Sequence, residues 1–543
     1  MLILGITHPI SSTNAAVLIR DGKIISAVEE ERFVRIKQAP RMFPFNAIEW
    51  CINNAKINHN DVDVIAIGWD GLHNKEEIFN QFNENQEDER NLFLECISLE
   101  KDFLKYLKKR FVHSKIRFVR HHIAHAASTC YLSGFDKSLF LTLDARGEYE
   151  SGILGIYDHG NFEILRRLSR YESLGNLYSQ FTSAIGFRGH FDEGKTMGLA
   201  PYGKPIESMK KLVHFSKNGK IIIDHQMISN LENKYSFSQS DPTKDERKNL
   251  AATVQYLLEK TAVKLVEQLT KISHISKICL AGGTALNIDM NSKILAVDGI
   301  NEIFIQPASS DAGTALGAAL FINHQFSSEK INPMRHAYFG PKIHGDTLKK
   351  YLDHACISYN ELSHVPSEIA KLLADNKIIA WVQGRAEFGP RALGARSLLA
   401  NPTNSSMWLK VNQVKGREYW RPLAPSVIEE DSSKYFEGVN DSPFMLLSSK
   451  IKEDKKRLIP AVSHVDQTAR PQTVSKNTNL VYWELLQEFK KLQGVPVLIN
   501  TSLNLRGDPI VNTIQDCLKT FYSSNIDYLC IDNYLISKDW LRI

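Results

Sequence analysis

At 543 residues the chain is too long for one ordinary core, so two domains are expected. Its 66 Lys and Arg face 61 Asp and Glu, for a net charge of +5, too even a balance to imply an extended nucleic-acid surface. The 7 cysteines are scattered without a Cys-x-x-Cys pair, which argues against a disulfide framework or a zinc ribbon and for a reduced, cytoplasmic protein.

In chain order, LILGITH (2–8) reads as a strand, and NAAVLIRDGKIISAVEE (14–30) as a hairpin turning on Asp21–Gly22. This N-terminal stretch is interrupted early and lacks a basic lead, so it reads as strands and not as a signal peptide. No apolar run approaches the roughly 20 residues that span a bilayer, so no membrane role is expected. DVIAIGW (63–69), SLFLTLD (138–144) and ESGILGIYDHG (150–160) are predicted strands. Residues 216–247 are polar and are expected to be irregular, and Leu250–Ile272 carries apolar residues at helical spacing. KICLAGGTALNIDMN (277–291) and IFIQPASSDAGTALGAAL (303–320) each suggest a strand leading into a helix, an alternation typical of α/β architecture. A composition shift at 324–341 marks the domain boundary.

Several residues along this path suggest chemistry. In HHIAHAAS (121–128), His121 and His125 stand one helical turn apart and can turn ring nitrogens to one metal ion, with His122 pointing elsewhere as a structural residue. Packing histidines are the competing reading. Asp144 and Asp311 stand at strand ends and add oxygen donors; this mixed set suits iron, manganese or zinc without choosing among them. Gly282 and Gly283 sit between a strand and a helix, where backbone can approach a nucleotide or simply form a tight turn. Lys195, in DEGKTMGLAPYG, is either a phosphate contact or a solvated lysine. The strand-end aspartates and glycine turns resemble the actin, hexokinase and heat-shock ATPase superfamily in architecture.

The C-terminal half is richer in cations. WVQGRAEFGPRALGARSLLANP (381–402) carries Arg385, Arg391 and Arg396, and VKGREYWRPLAPSV (414–427) adds Lys415, Arg417 and Arg421. Interleaved with Gly and Pro, these six cations suggest a pocket for several phosphate or carboxylate groups. Arg470 and the turn PVLINTSLNLRGDPIV (496–511), with Asn500, Thr501, Ser502 and Asn504, are candidates for the same pocket or for turn formation.

Taken in order, these motifs and EEERF (29–33) resemble the O-carbamoyltransferases of the nodulation, cephalosporin and tobramycin type over nearly the whole chain. The resemblance implies an α/β protein of two domains. Residues 1–335 would form an actin-like (ASKHA-type), threonylcarbamoyl-transferase-like domain for metal-dependent carbamoyl transfer. Residues 340–543 would form a YrdC-like domain that makes carbamoyl adenylate from carbamoyl phosphate and ATP, with Mg(II) accompanying the ATP. His121, His125, Asp144 and Asp311 would hold Fe(II). Lys195, Gly282, Gly283 and Asn287 would contact the nucleotide in the first domain, and Arg391 and Asn500 in the second. Lys415, Arg421, Arg470 and Ser502 would bind carbamoyl phosphate, with Lys415 and Arg421 also catalytic.

His8 is the candidate general base for the acceptor hydroxyl. The family's His-Asp pair is broken here, since Pro9 replaces the aspartate; Gln38 likewise stands where a histidine is often found. The expected partner is a small-molecule hydroxyl acceptor held by variable loops within 70–110 and 216–247, with no nucleic acid and no membrane; a homodimer is the assembly to test. A tRNA threonylcarbamoyl-type enzyme, an actin-like sugar kinase and a non-catalytic binding protein are the alternatives. Binding to tRNA, ADP in place of AMP, and absence of ATP turnover would respectively reveal them.

Overall fold

The computed structural model describes residues 1–70, 87–235, 244–327, 329–438 and 441–538. They form two compact units, Met1–Val34 with Gln38–Met334, and Arg35–Lys37 with Arg335–Ile543. The short segment Arg35–Lys37 is absent from the sequence expectation. Within the second unit Arg35 donates to the carbonyls of Pro509 and Ile510 and pairs with Asp516 at 3.2 Å.

The first unit contains two five-stranded sheets. In one, β1 (Leu2–Ile6), β2 (Ala15–Arg20) and β3 (Lys23–Glu29) form an antiparallel meander, and β4 (Val64–Ile67) and β5 (Lys115–Phe118) add in parallel beside β1. Asp21 and Gly22 have φ of 49° and 74°, the paired left-handed conformation that a tight hairpin between twisted strands requires. In the other, β6 (Lys137–Leu143), β7 (Glu150–Asp158) and β8 (Asn161–Ser169) form the meander. A small hairpin of β9 (Val213–Phe215) and β10 (Ile221–Ile223) intervenes, and β11 (Lys277–Ala281) and β12 (Glu302–Ile305) then add in parallel beside β6. The orders β3-β2-β1-β4-β5 and β8-β7-β6-β11-β12 follow one plan, a duplicated α/β arrangement.

Small residues bring the two halves of this unit together. The helix Ala312–Phe326, AGTALGAALFINHQF, is buried along Ala312–Leu320. A Cβ on Gly317 would fall 1.7 Å from the carbonyl oxygen of Ala124, in the helix His121–Ser133, and a Cβ on Gly5 of β1 would fall 2.0 Å from that of Ala315. Side chains at either position would force the backbones apart, so the glycines set the spacing between the histidine helix and the helix that follows Asp311.

Two expectations need correction. The stretch 216–247 contains β10, the helix His225–Lys234 and the start of the helix Asp245–Ser273, while 236–243 lies outside the described residues. The run Ile221–Ile223 and the pair Ile228 and Leu231 carried the signal, but the polar residues around them masked such short elements. In 70–110, residues 71–86 lie outside the described residues, and Glu87–Arg110 is one helix where a variable loop was expected. The aromatic ring of Phe103 on this helix anchors it against Phe43 and Phe45.

The second unit centres on an eight-stranded mixed sheet. β13 (Tyr338–Lys342) pairs with β16 (Arg385–Glu387) as a separate ribbon, and β19 (Ser449–Lys450) with β20 (Thr468–Ala469) as another. The main sheet runs β14 (Asn360–Glu361), β24 (Tyr534–Ile536), β23 (Tyr528–Ile531), β15 (Ile379–Val382), β17 (Arg396–Ala400), β22 (Val497–Ser502), β18 (Ala424–Ile428) and β21 (Gln472–Val474). Alternation along β15 serves both faces: Ile379 and Trp381 join the core with the helices Val365–Ala374 and Leu480–Gln493. Ala380 and Val382 join the core with the helices Gly345–His354, Ser406–Val414 and Ile514–Tyr522.

Candidate metal centre and anion pocket

In the first unit, four side chains carried by three pieces of backbone meet. His121 and His125 project from the first turns of the helix His121–Ser133, Asp144 follows β6, and Asp311 immediately precedes the helix Ala312–Phe326. One donor atom from each lies within 4.8 Å of all the others. The two imidazole Nε2 atoms are 3.1 Å apart, Asp144 is 3.2 Å from His125 and 3.8 Å from His121, and Asp311 is 3.7 Å from His121. Two nitrogens and two carboxylates converging so closely, both histidines fully buried, fit a divalent transition metal.

The carboxylates are oriented from behind. Asp144 accepts from the amides of Ala145 at 2.6 Å and Gly283 at 3.1 Å, and Asp311 accepts from the amide and hydroxyl of Ser12 at 2.6 and 2.9 Å. Glu148 accepts from the amides of Asp70 and His121, both at 2.8 Å, and so fixes the start of the histidine helix. His122 faces away, bonded to Thr142 at 3.0 Å and to the carbonyl of Glu150 at 3.2 Å. Burial opposes a proton on His121, yet Asp144 and then Asp311 reverse that and raise its pKa to about 9. Burial and the neighbouring His121 lower His125, while the two imidazoles overcome burial and hold Asp144 well below the usual carboxylate range.

The glycines of LAGGTALN serve this centre directly. Gly282 has φ of 90°, and a Cβ there would fall 2.2 Å from the carbonyl oxygen of Leu143, so β11 can end against the end of β6 only with glycine. Gly283 then offers its amide to Asp144. Asn287 caps the helix Ile288–Leu295 through the amide of Met290 and exchanges amide hydrogen bonds with Gln255 at 2.8 and 3.0 Å. Lys195 lies 3.0 Å from Asp192 and over the ring of Phe187.

His8, after β1, is wholly buried. Its Nδ1 accepts from the amide of Ile10 at 3.2 Å, its Nε2 lies 3.3 Å from Glu100, and its ring stacks on Trp69, whose edge meets His121. Ser12, Trp69, Glu100 and Glu148 were missed in the sequence. Ser12 stood in plain view beside a strand end, but nothing local pointed to Glu100.

In the second unit a basic cluster forms around the end of β22. Lys415 donates to the Ser502 carbonyl, to the Asn504 carbonyl at 3.0 Å and to the Asn504 side chain at 2.9 Å, with the Ser502 hydroxyl 3.4 Å away. Burial first, and then Arg417 and Arg421, push Lys415 well down. Burial, Arg421 and Arg470 do the same to Arg417, and burial with Arg421 and Arg417 lowers Arg391 to about 10. Burial leads in all three shifts and the neighbouring cations add to it, while Glu418, 4.0 Å from Arg421, opposes the shift of Arg417. Asn500 lies beneath, its amide donating to Ser426 at 3.0 Å, Gln472 at 2.9 Å and the carbonyl of Ala392 at 3.3 Å.

Two of the six cations expected here belong elsewhere. Arg385 donates to the carbonyls of Phe339 and Gly340, and Arg396, fully buried, to those of Pro341, Gln383 and Gly384. Arg385 closes the β13–β16 ribbon on itself, and Arg396, in β17, ties that ribbon to the sheet. The glycine-rich loop between them is instead shaped by Glu387, which accepts from the amides of Leu393, Ala395 and Arg396 at 2.7, 2.8 and 3.3 Å.

Comparison with known sequences gives two family matches, Carbamoyltransferase N-terminus over residues 2–320 and Carbamoyltransferase C-terminus over 370–538. Nodulation protein NolNO of Sinorhizobium fredii is 36% identical, over 99% of this chain and 82% of its own. The 3′-hydroxymethylcephem-O-carbamoyltransferase of Streptomyces clavuligerus is 32% identical, over 65% of each chain. Among solved structures, full-length HypF in its phosphate- and nucleotide-bound form matches 60% of this chain and 56% of its own at 14% identity, with a TM-score of 0.38.

Proposed function

The chain belongs to the carbamoyltransferase family, and from that premise we propose that it is an ATP-dependent O-carbamoyltransferase acting in two steps. In the second unit, read as YrdC-like, carbamoyl phosphate, ATP and water give carbamoyl adenylate, pyrophosphate and phosphate. In the first, the carbamoyl group passes to a hydroxyl of a small-molecule acceptor. The observation that carries this reading is the crowding of Lys415, Arg391, Arg417, Arg421 and Arg470, cations whose mutual repulsion a bound polyanion would relieve.

The chemistry gives each group a task. Nitrogen donates into the carbamoyl carbon and makes it a poor electrophile, so exchange of phosphate for adenylate supplies a mixed anhydride with a better leaving group. Two anions must meet for that exchange, and the basic cluster screens their repulsion. Lys415, Arg421, Arg470 and Ser502 bind carbamoyl phosphate, and Arg391 and Asn500 stand on the nucleotide side, with Mg(II) accompanying ATP. In the first unit Gly282, Gly283 and Asn287 receive the adenosine portion and Lys195 a phosphate oxygen. His121, His125, Asp144 and Asp311 hold a metal, read as Fe(II), which when bound supplies a Lewis acid to the carbamoyl oxygen. His8 takes the proton of the acceptor hydroxyl as its oxygen bonds to the carbamoyl carbon. The bond from that carbon to the adenylate oxygen breaks, and AMP leaves with the electron pair.

The test is a product assay on the purified protein with ATP, carbamoyl phosphate, Mg(II) and Fe(II). AMP, pyrophosphate and phosphate are expected. ADP without AMP would make the chain a kinase, and absence of any turnover would overturn the adenylation step.

A further inference from the structure

The loop that follows β1 holds a second buried ionisable pair. His8 has no exposed surface, and Glu100, on the helix Glu87–Arg110, is 2% exposed; their Nε2 and Oε2 atoms are 3.3 Å apart. Neither His8 Nε2 nor Glu100 Oε1 makes a hydrogen bond, so Nε2 meets Glu100 Oε2 as an ion-pair contact with room to shorten once the ring is charged. A buried carboxylate and a buried imidazole are each costly alone, so their facing one another is a built feature of the site.

The loop fixes which nitrogen of the ring is bare. A backbone amide only donates, so the bond from Ile10 to Nδ1 at 3.2 Å leaves Nδ1 without a proton and places the proton of a neutral ring on Nε2, toward Glu100. The same loop carries Ser12, whose amide and hydroxyl hold the candidate metal ligand Asp311. Trp69 stacks on the His8 ring at 6.0 Å and meets His121 edge-on at 5.2 Å, so His8 is joined to the metal centre through one side chain.

We propose that Glu100 is the positioning carboxylate of His8, holding the Nε2 proton so that Nδ1 is the atom that accepts the acceptor's proton. The inference rests on the reading of His8 as the base for carbamoyl transfer. As the acceptor O–H bond breaks, its proton goes to Nδ1, Ile10 releases that lone pair, and the resulting imidazolium is paired with Glu100. A carboxylate that faces one ring nitrogen while the other takes the proton is the logic of hydrolase triads. Glu100 acts through His8 and does not itself meet the reacting atoms.

The test is proton and nitrogen NMR of the full chain labelled with ¹⁵N in the histidine rings, with His8 assigned by its loss in His8→Asn. Expected in the wild type is a slowly exchanging downfield proton on His8 Nε2 beside a bare Nδ1; Glu100→Gln should shift that proton upfield, because a neutral amide is the weaker acceptor. A proton on Nδ1 in the wild type, or a resonance unmoved in a folded Glu100→Gln, would overturn the proposal. If that variant fails to fold, the wild-type spectrum alone decides. The readout needs neither nucleotide nor acceptor, so it fails separately from the adenylation reading, which product formation tests.

Discussion

In the first unit two imidazoles face two carboxylates, and the charges of the centre largely answer one another before any ion arrives. In the second, a lysine and several arginines gather around Glu418, whose carboxylate lies 4.0 Å from Arg421 and 3.8 Å from Arg506, so cations outnumber the carboxylate they share. The first arrangement is set by backbone: a helix start, the end of β6 and a helix entry, pressed together through Gly317 and Gly282. The second is set by side chains, with Lys415 pinned to the turn of Ser502 and Asn504. A cation site needs donor atoms placed to a few tenths of an ångström, whereas an anion site needs an excess of cationic donors in one place.

That contrast can be broken at four points. Lys415→Ala removes a buried cation from the anion site and should lower pyrophosphate release by about 100- to 1,000-fold, the scale of losing one electrostatic contact to a reacting group. Asp144→Ala should weaken Fe(II) binding by at least about 100-fold, measured by competition with a chelator. In the same assay the wild type should bind more tightly as pH rises toward 9. His121 keeps its proton up to about 9, and a metal must displace it, so affinity climbs by about tenfold per pH unit below that value and levels off above it. Gly317→Ala, whose Cβ has no room beside the Ala124 carbonyl, should destabilise the first unit by about 1–3 kcal/mol in a denaturant melt, with its metal affinity falling in parallel. Ser12→Ala removes one of two hydrogen bonds to Asp311 and should cost about tenfold in metal affinity while leaving the melt nearly unchanged.

Local chemistry was legible in the sequence. Asp21–Gly22 announced its hairpin because few residues tolerate that turn, and the i, i+4 histidines and strand-end aspartates showed that they could share one centre. What a side chain meets across the fold was not legible. Arg385 and Arg396 have the same composition around them as Arg391, yet they bind backbone carbonyls of their own unit. Gly282 and Gly283 announced a close approach, but the approaching group is Leu143 and Asp144 of the metal centre. Glu100 carried no signal at all, since a helix amid polar residues gives no hint that one carboxylate turns inward to a histidine near the chain start.

Pyrophosphate release in the absence of acceptor, with ATP, carbamoyl phosphate and Mg(II), compared among the wild type, Arg421→Ala and Asp144→Ala, tests the division of labour most directly. Release dependent on carbamoyl phosphate, lost in Arg421→Ala and retained in Asp144→Ala even though that variant no longer holds Fe(II), is the expected result. Equal loss in both variants, or release that ignores carbamoyl phosphate, would contradict the assignment of activation to the basic site and transfer to the metal centre.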